Sequence, residues 1–193
     1  MQAKVDQLPP DLFGVQMERI PDNLLLEPIE YIFADHCRQR DMCGALKTLA
    51  KHSGSPETIT EAAETILKCL QHDLALHIED EEQDLFPRLS KRAKPEDKFD
   101  DTLHLLGREH LRDRELADEV IRGLKRLAVG EPLEDPQAFR TASEMLSEIH
   151  LSHLNWENTV VLELARLRLN PDDQREMAKS MAARRAIKLP EID

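Results

Sequence analysis

Two histidine–glutamate pairs repeat the same spacing in different parts of the sequence. Glu81 follows His77 by four residues, and Glu157 follows His153 by four residues. In an α-helix, four residues advance the chain by about 400° and about 6 Å, so each histidine would share a face with its glutamate, one turn away. Imidazoles and carboxylates together suit iron, manganese or zinc, whereas an all-oxygen set would indicate Ca²⁺ or Mg²⁺. The two pairs therefore predict a transition-metal site.

The apolar residues around these pairs place both of them on buried helix faces. Leu70 and Leu74 lie seven and three residues before the first histidine, and Leu146 and Val160 lie seven residues before and after the second. Because these positions share the helical face of the nearby pair, the imidazoles and carboxylates are expected to point toward the core. Burying such groups costs free energy unless something compensates them. A bound cation would supply that compensation.

Two more histidines occupy the apolar faces of other helical stretches. The neighbours at helical spacings are Ile29, Ile32, Phe33 and Cys43 for His36, and Leu103, Leu106 and Ala117 for His110. A single histidine of this kind is more often a hydrogen-bonded core residue than a ligand. Four histidines on four helices, two of them paired with glutamates, are better explained by a dinuclear metal site with two bridging carboxylates. The candidate metal ligands are His36, His77, Glu81, His110, His153 and Glu157.

Prolines, glycines and capping residues divide the chain into helical stretches. Four long stretches are predicted at about 28–52, 55–89, 95–129 and 136–169, and a short fifth helix at about 171–185. Long helices joined by short connections are typical of an up-down-up-down bundle. The sequence therefore predicts an all-α fold: an antiparallel four-helix bundle over 27–169, an irregular N-terminal extension over 1–26, and a short C-terminal helix and tail over 170–193.

The composition excludes several classes of protein. The 193 residues carry a net charge of −12, with 40% hydrophobic residues, 4% aromatic residues and 6 glycines. These values suit one folded helical domain and argue against a disordered chain or a sheet protein rich in turns. The acidic charge argues against nucleic-acid binding, and no apolar run approaches the ~20 residues needed to cross a membrane. An odd number of cysteines and an N-terminus without a secretory signal favour the reducing cytoplasm.

Charged residues near the predicted site have simpler interpretations. The acidic residues that follow His77 are expected to form a solvated helix face; they are Glu79, Asp80, Glu82 and Asp84. The basic residues near the C-terminus are expected to be solvated or to bind an acidic partner; they are Arg184, Arg185 and Lys188. Other acidic residues are candidates only for orienting the ligand imidazoles; they are Asp35, Glu109 and Asp113.

In their order along the chain, these features resemble the hemerythrin-like (HHE cation-binding) family. The resemblance covers about residues 27–169. It rests on Asp35-His36, the run from His77 through Glu81 to Leu85-Phe86-Pro87, Glu109-His110, and His153-Leu154-Asn155-Trp156-Glu157-Asn158. Each motif alone is a weak signal, and the run over 77–87 is the most specific. The full set in this order is a strong one.

The resemblance implies an antiparallel four-helix bundle that holds a non-haem di-iron centre, with all six candidates as ligands and Glu81 and Glu157 able to bridge the metals. One position departs from the family. Oxygen-carrying hemerythrins have two histidines four residues apart in the third helix, whereas Leu106 and Arg114 stand four residues before and after His110. Reversible O₂ transport is therefore less strongly indicated than sensing, NO or peroxide chemistry, or iron handling. The alternatives for the missing ligand are His150, His72, Tyr31 or water.

The favoured function is a non-haem di-iron protein that binds or senses O₂, NO or peroxide, or handles iron, in redox or nitrosative stress. Its expected cofactor is a di-iron centre bridged by oxygen or hydroxide, although zinc or manganese would suit the same ligands. One alternative is a peroxidase-like or oxidase-like enzyme at the same centre, and another is a metal-free helical interaction protein. The expected partner is a diatomic molecule or peroxide, not a nucleic acid or a membrane. The sequence does not define the oligomeric state, and a homodimer is one of the possible states.

Overall fold

The computed structural model describes residues 18–51, 55–99 and 117–190, and these ranges contain helices and turns but no strand. Helix α1 is Pro28–Lys51, α2 covers 56–92, α3 covers 117–128, α4 covers 136–168 and α5 is Pro171–Arg184. Short 3₁₀ turns occupy Asp22–Leu26 and Pro95–Asp97. The predicted all-α bundle is confirmed. The predicted ligand His110 lies outside the described residues, as do Glu109, Asp113 and Arg114.

Capping residues fix the starts of three helices. Ser55 accepts a hydrogen bond from the backbone N–H of Thr58 at the start of α2. Asp135 accepts from the N–H groups of residues 137 and 138 at the start of α4, and Asn170 forms a reciprocal capping box with Asp173 at the start of α5. A proline opens each of these helices, where its missing N–H is not needed. The predicted helix starts are therefore confirmed at these three positions.

The described residues form two apolar cores, at opposite ends of the bundle. The first core joins α1, α2, α3 and α4; its members include Leu46, Ile66, Leu124, Phe139 and Leu146. The second core joins α1, α2, α4 and α5; its members include Ile32, Leu85, Leu162, Met177 and Met181. In α1, α2 and α4 the candidate ligands fall between the residues of the two cores. The bundle thus has a polar middle layer that is closed by apolar side chains at both ends.

Within the described residues, three π-helical turns interrupt the regular α-helices. In α2 they are Cys69–Asp73 and Glu81–Leu85, and in α4 the π turn is Glu157–Val161. A π turn holds one more residue than an α turn, so it shifts every later side chain around the helix. Val160 is consequently 38% exposed, and its neighbour Val161 is fully buried. The prediction that Val160 shares the buried face of His153 is therefore wrong.

Two further predictions about exposure fail. Phe33, expected beside His36 on an apolar face, is 40% exposed. The guanidinium of Arg166 lies 5.9 Å from the centre of its ring, an exposed cation–π contact. Asp80 and Asp84, expected on a solvated face, are buried.

The buried aspartates are covered by the end of α5. Arg184 and Arg185 both donate hydrogen bonds to Asp80, and Arg184 also donates to Asp84 at 2.8 Å. The arginine side chains are only 12% and 10% exposed, so they are not the solvated cations predicted from the sequence.

Among the described helices, none is long and apolar enough to cross a membrane.

Candidate metal centre

Four predicted ligands converge in the middle layer of the bundle. One nitrogen or oxygen atom from each of His36, His77, Glu81 and Glu157 lies within 4.8 Å of the other three. All four residues are buried, and His36, Glu81 and Glu157 have no exposed surface. The residues come from α1, α2 and α4, so the tertiary fold joins side chains that are far apart in the sequence. A fifth predicted ligand, His153, places its Nε2 atom 3.1 Å from Oε1 of Glu157.

The spacing between these atoms suits a shared cation. The Nε2 atom of His36 lies 3.5 Å from Oε2 of Glu157 and 3.8 Å from Oε1 of Glu81. The Nε2 atom of His77 lies 3.5 Å from the same Oε1 atom of Glu81. Ligands bound to one metal at about 2.1 Å are about 3 to 3.5 Å from each other. The three distances between these nitrogen and oxygen atoms are at or just above that range, as expected for neighbouring ligands of one metal ion.

Several atoms of the cluster are buried without the hydrogen bonds that such atoms require. Within the described residues, Nε2 of His36 and both carboxylate oxygens of Glu157 have no hydrogen-bond partner. A buried polar group without a partner costs about 1–3 kcal/mol, and a charged group costs more. A cation held by these atoms would remove that cost. The donor set of imidazoles and carboxylates also fits a transition metal such as iron.

The carboxylate of Glu157 lies between two imidazoles. Its Oε2 atom faces Nε2 of His36 at 3.5 Å, while its Oε1 atom faces Nε2 of His153 at 3.1 Å. A carboxylate with one oxygen toward each of two separate nitrogen ligands has the arrangement needed to bridge two metal ions.

Neighbouring side chains orient the imidazoles. Nδ1 of His36 donates a hydrogen bond of 2.7 Å to the amide oxygen of Asn158, and Nδ1 of His77 lies 3.2 Å from a carboxylate oxygen of Asp35. Because each Nδ1 carries the donated proton, each Nε2 is left to act as a metal ligand. Gln39 also donates to Asp35 at 2.9 Å. The predicted orienting role of Asp35 therefore agrees with its position, and Asn158 is an orienting residue that sequence reasoning missed.

The charges around His77 change its protonation. Burial lowers the pKa of His77, but the carboxylates of Glu81 and Asp35 outweigh this effect and raise the pKa to about 10. Burial likewise raises the pKa of Asp35, but the hydrogen bond from His77 and the nearby positive charges hold it below its usual value. Without a metal, His77 is thus a cation between two carboxylates. A metal ion would take the place of that proton.

The alternatives for the missing third-helix ligand occupy other positions. His72 is exposed on α2. The hydroxyl of Tyr31 accepts a hydrogen bond from Arg185 at 3.1 Å. His150 is buried, with Nε2 2.7 Å from the amide oxygen of Gln39 and its ring stacked 6.2 Å from that of His153. His150 therefore supports His153 from the side, and none of the three joins the four-residue cluster.

Both candidate bridging glutamates stand at the first residue of a π turn, Glu81–Leu85 in α2 and Glu157–Val161 in α4. Such turns are frequent at functional sites because they change the direction of the side chains that follow. In α4 the π turn includes Asn158, the hydrogen-bond partner of His36. No residue type in either segment signals the π turn.

Comparison with known proteins identifies the family. The family model of the hemerythrin HHE cation binding domain matches residues 27–165. The match includes α1, α2, α3 and nearly all of α4, and thus every candidate ligand. No curated protein sequence matches the chain significantly. The family match covers most of the chain and agrees with the helical bundle and its buried histidine–glutamate cluster, so this chain belongs to the hemerythrin HHE cation-binding family.

Proposed function

We propose that this protein holds two iron ions in the middle layer of the bundle and uses them to bind or sense O₂, NO or peroxide, or to handle iron, in redox or nitrosative stress. The observation that carries the proposal is the position of Glu157, whose two oxygens face His36 and His153 separately. A single ion would need only the ligands on one side of the Glu157 carboxylate. Two groups that share one carboxylate favour a dinuclear centre.

The described ligands divide between the two proposed ions. His36, His77 and Glu81 lie together on the side of Oε2 of Glu157. His153 lies on the side of Oε1. By the resemblance to the family, His110 would complete the second group, and Glu81 would form a second bridge.

The surroundings suit a small exogenous ligand. When bound, ferrous iron supplies an electron donor and an open coordination position for a diatomic molecule or peroxide. The chain supplies a buried site, since its described candidate ligands are at most 4% exposed. Arg114 stands where oxygen carriers have a further histidine, so this centre has fewer imidazole ligands than theirs. We infer sensing, NO or peroxide chemistry, or iron handling before oxygen transport.

Iron binding by histidine variants tests the assignment. After anaerobic reconstitution with ferrous iron and desalting, His77→Ala and His153→Ala should each hold about half the iron of the unchanged protein or less, because each loses a ligand from one group. His72→Ala is the matched control, because His72 lies on the same helix as His77 but is exposed. Full iron in both ligand variants would contradict the assignment.

Addition of NO or peroxide to the ferrous protein tests the chemistry. NO binding should give a new visible absorption band that saturates at a fixed ratio to iron. A peroxidase-like enzyme would instead consume peroxide continuously, at a rate proportional to bound iron. An iron-loaded protein whose spectrum changes with none of NO, peroxide and O₂ would contradict the ligand-binding part of the proposal and leave only iron handling.

A further inference from the structure

A cavity of about 370 Å³ adjoins the candidate metal centre on the side of the first core. Helices α1, α2, α3 and α4 all contribute to its walls. Most of the described lining is apolar and includes Met42, Leu46, Leu70, Leu74, Ile78 and Leu146. The imidazoles of His77, His150 and His153 form the polar part next to the metal centre.

The volume is larger than the ligands proposed above require. An apolar cavity of about 150 Å³ in a protein core is enough to take up benzene, and binding sites for small organic molecules usually measure about 300–1,000 Å³. The cavity here is within the second range. O₂ and NO have only two atoms each, so neither accounts for such a space.

The lining also defines the chemistry of an occupant. A charged molecule would lose its hydration against apolar walls without gaining a matching charge. The lining reaches the surface near four exposed residues, Ala75, Glu79, Glu82 and Asp118, and the three carboxylates among them disfavour the entry of anions. An uncharged, compact hydrocarbon or aromatic molecule suits both the apolar walls and the carboxylates near the surface.

We propose that this cavity binds a small, uncharged apolar organic molecule beside the metal centre. The molecule would lie among the leucine and isoleucine side chains of α1, α2 and α4, with one edge against the imidazoles of His77 and His153. The proposal rests on the proposed function in one respect only, namely that those imidazoles hold metal ions. Binding itself depends on the cavity alone.

Toluene is the probe for this site. Titration calorimetry on the full chain should show saturable binding of one toluene per chain. Leu74→Trp should weaken binding at least tenfold, because the larger side chain would fill the cavity from its wall. Leu67→Trp is the matched control: Leu67 is also half-buried, lies seven residues earlier on the same helix and packs against the same core, but does not line the cavity. It should bind toluene like the unchanged protein.

Folding and metal content are measured on the same samples. Circular dichroism checks each variant, and Ile78→Trp, at another half-buried position of the wall, replaces Leu74→Trp if the latter does not fold. No saturable binding to the unchanged protein would overturn the proposal, as would equal binding by the cavity variant and the control. Toluene binding by a protein that takes up no iron would refute the proposed function and leave the cavity site supported.

Discussion

Replacing Arg185 with alanine tests whether buried charge holds α5 on the bundle. Arg185 donates a hydrogen bond of 2.9 Å to Oδ1 of Asp80 and a second one to Oδ2, and its guanidinium lies 4.9 Å from the centre of the Tyr31 ring. The Asp80 side chain is 2% exposed and that of Arg185 is 10% exposed. Both groups have therefore lost most of their hydration.

The structure gives the expected magnitude. Removal of one partner from a buried ion pair typically costs about 3–5 kcal/mol, because the other charge stays buried without compensation. Here Arg184 also donates to Asp80 and would keep part of that compensation. We therefore expect Arg185→Ala to lower the free energy of unfolding by about 3 kcal/mol, the lower end of that range.

Urea denaturation of the metal-free protein measures this loss. Arg175→Ala is the matched control, because Arg175 lies on the same helix in an exposed pair with Asp172, with side chains 46% and 78% exposed. Such a pair contributes about 0–1 kcal/mol. A double-mutant cycle with Asp80→Asn should give a coupling energy of about 2 kcal/mol. Equal, small losses in both alanine variants, with no coupling to Asp80, would refute the reasoning.

Two glycines and one aspartate give further predictions. A Cβ atom at Gly123 would collide with the buried ring of Phe139, so Gly123→Ala should lower the free energy of unfolding by about 1–3 kcal/mol. A Cβ atom at Gly44 would have nothing within 4 Å, so Gly44→Ala should raise the free energy of unfolding by about 0.5–1 kcal/mol. Urea denaturation of the two alanine variants checks these opposite changes in stability. Hydrogen bonds from Arg168 hold the pKa of Asp97 at about 2, against an ordinary value of 3.8. A lowered carboxyl pKa stabilises the fold above about pH 4, and this contribution is lost as the pH falls toward 2. Asp97→Asn should therefore be less stable than the unchanged protein at pH 7. Denaturation curves of the two proteins should become increasingly similar at lower pH.

Local sequence patterns were sufficient to predict much of the fold. Ser55, Asp135 and Asn170 signal helix starts through chemistry that acts within three residues, and the structure places a cap at each. The spacing within each histidine–glutamate pair also held, because no π turn falls between the two residues of a pair. Four predicted ligands could therefore be chosen correctly as neighbours in space, although their metal remains a prediction.

Features that depend on tertiary contacts could not be predicted. The π turn at Glu157–Val161 buries Val161 in place of Val160, and no residue type in the segment indicates it. The burial of Asp80 depends on arginines more than a hundred positions later, which look like an ordinary solvated cluster in the sequence. The role of Asn158 depends on its contact with His36, 122 positions earlier in the chain.

The number of iron ions bound per chain tests the central claim most directly. The full protein is reconstituted anaerobically with ferrous iron and desalted, and its iron content, melting temperature and absorption spectrum are recorded before and after exposure to air. The account predicts about two irons per chain, a higher melting temperature than that of the metal-free protein, and a new near-ultraviolet to visible band on oxidation. One iron per chain would contradict the bridging role of Glu157. No iron, with an unchanged melting temperature, would contradict the metal centre as a whole.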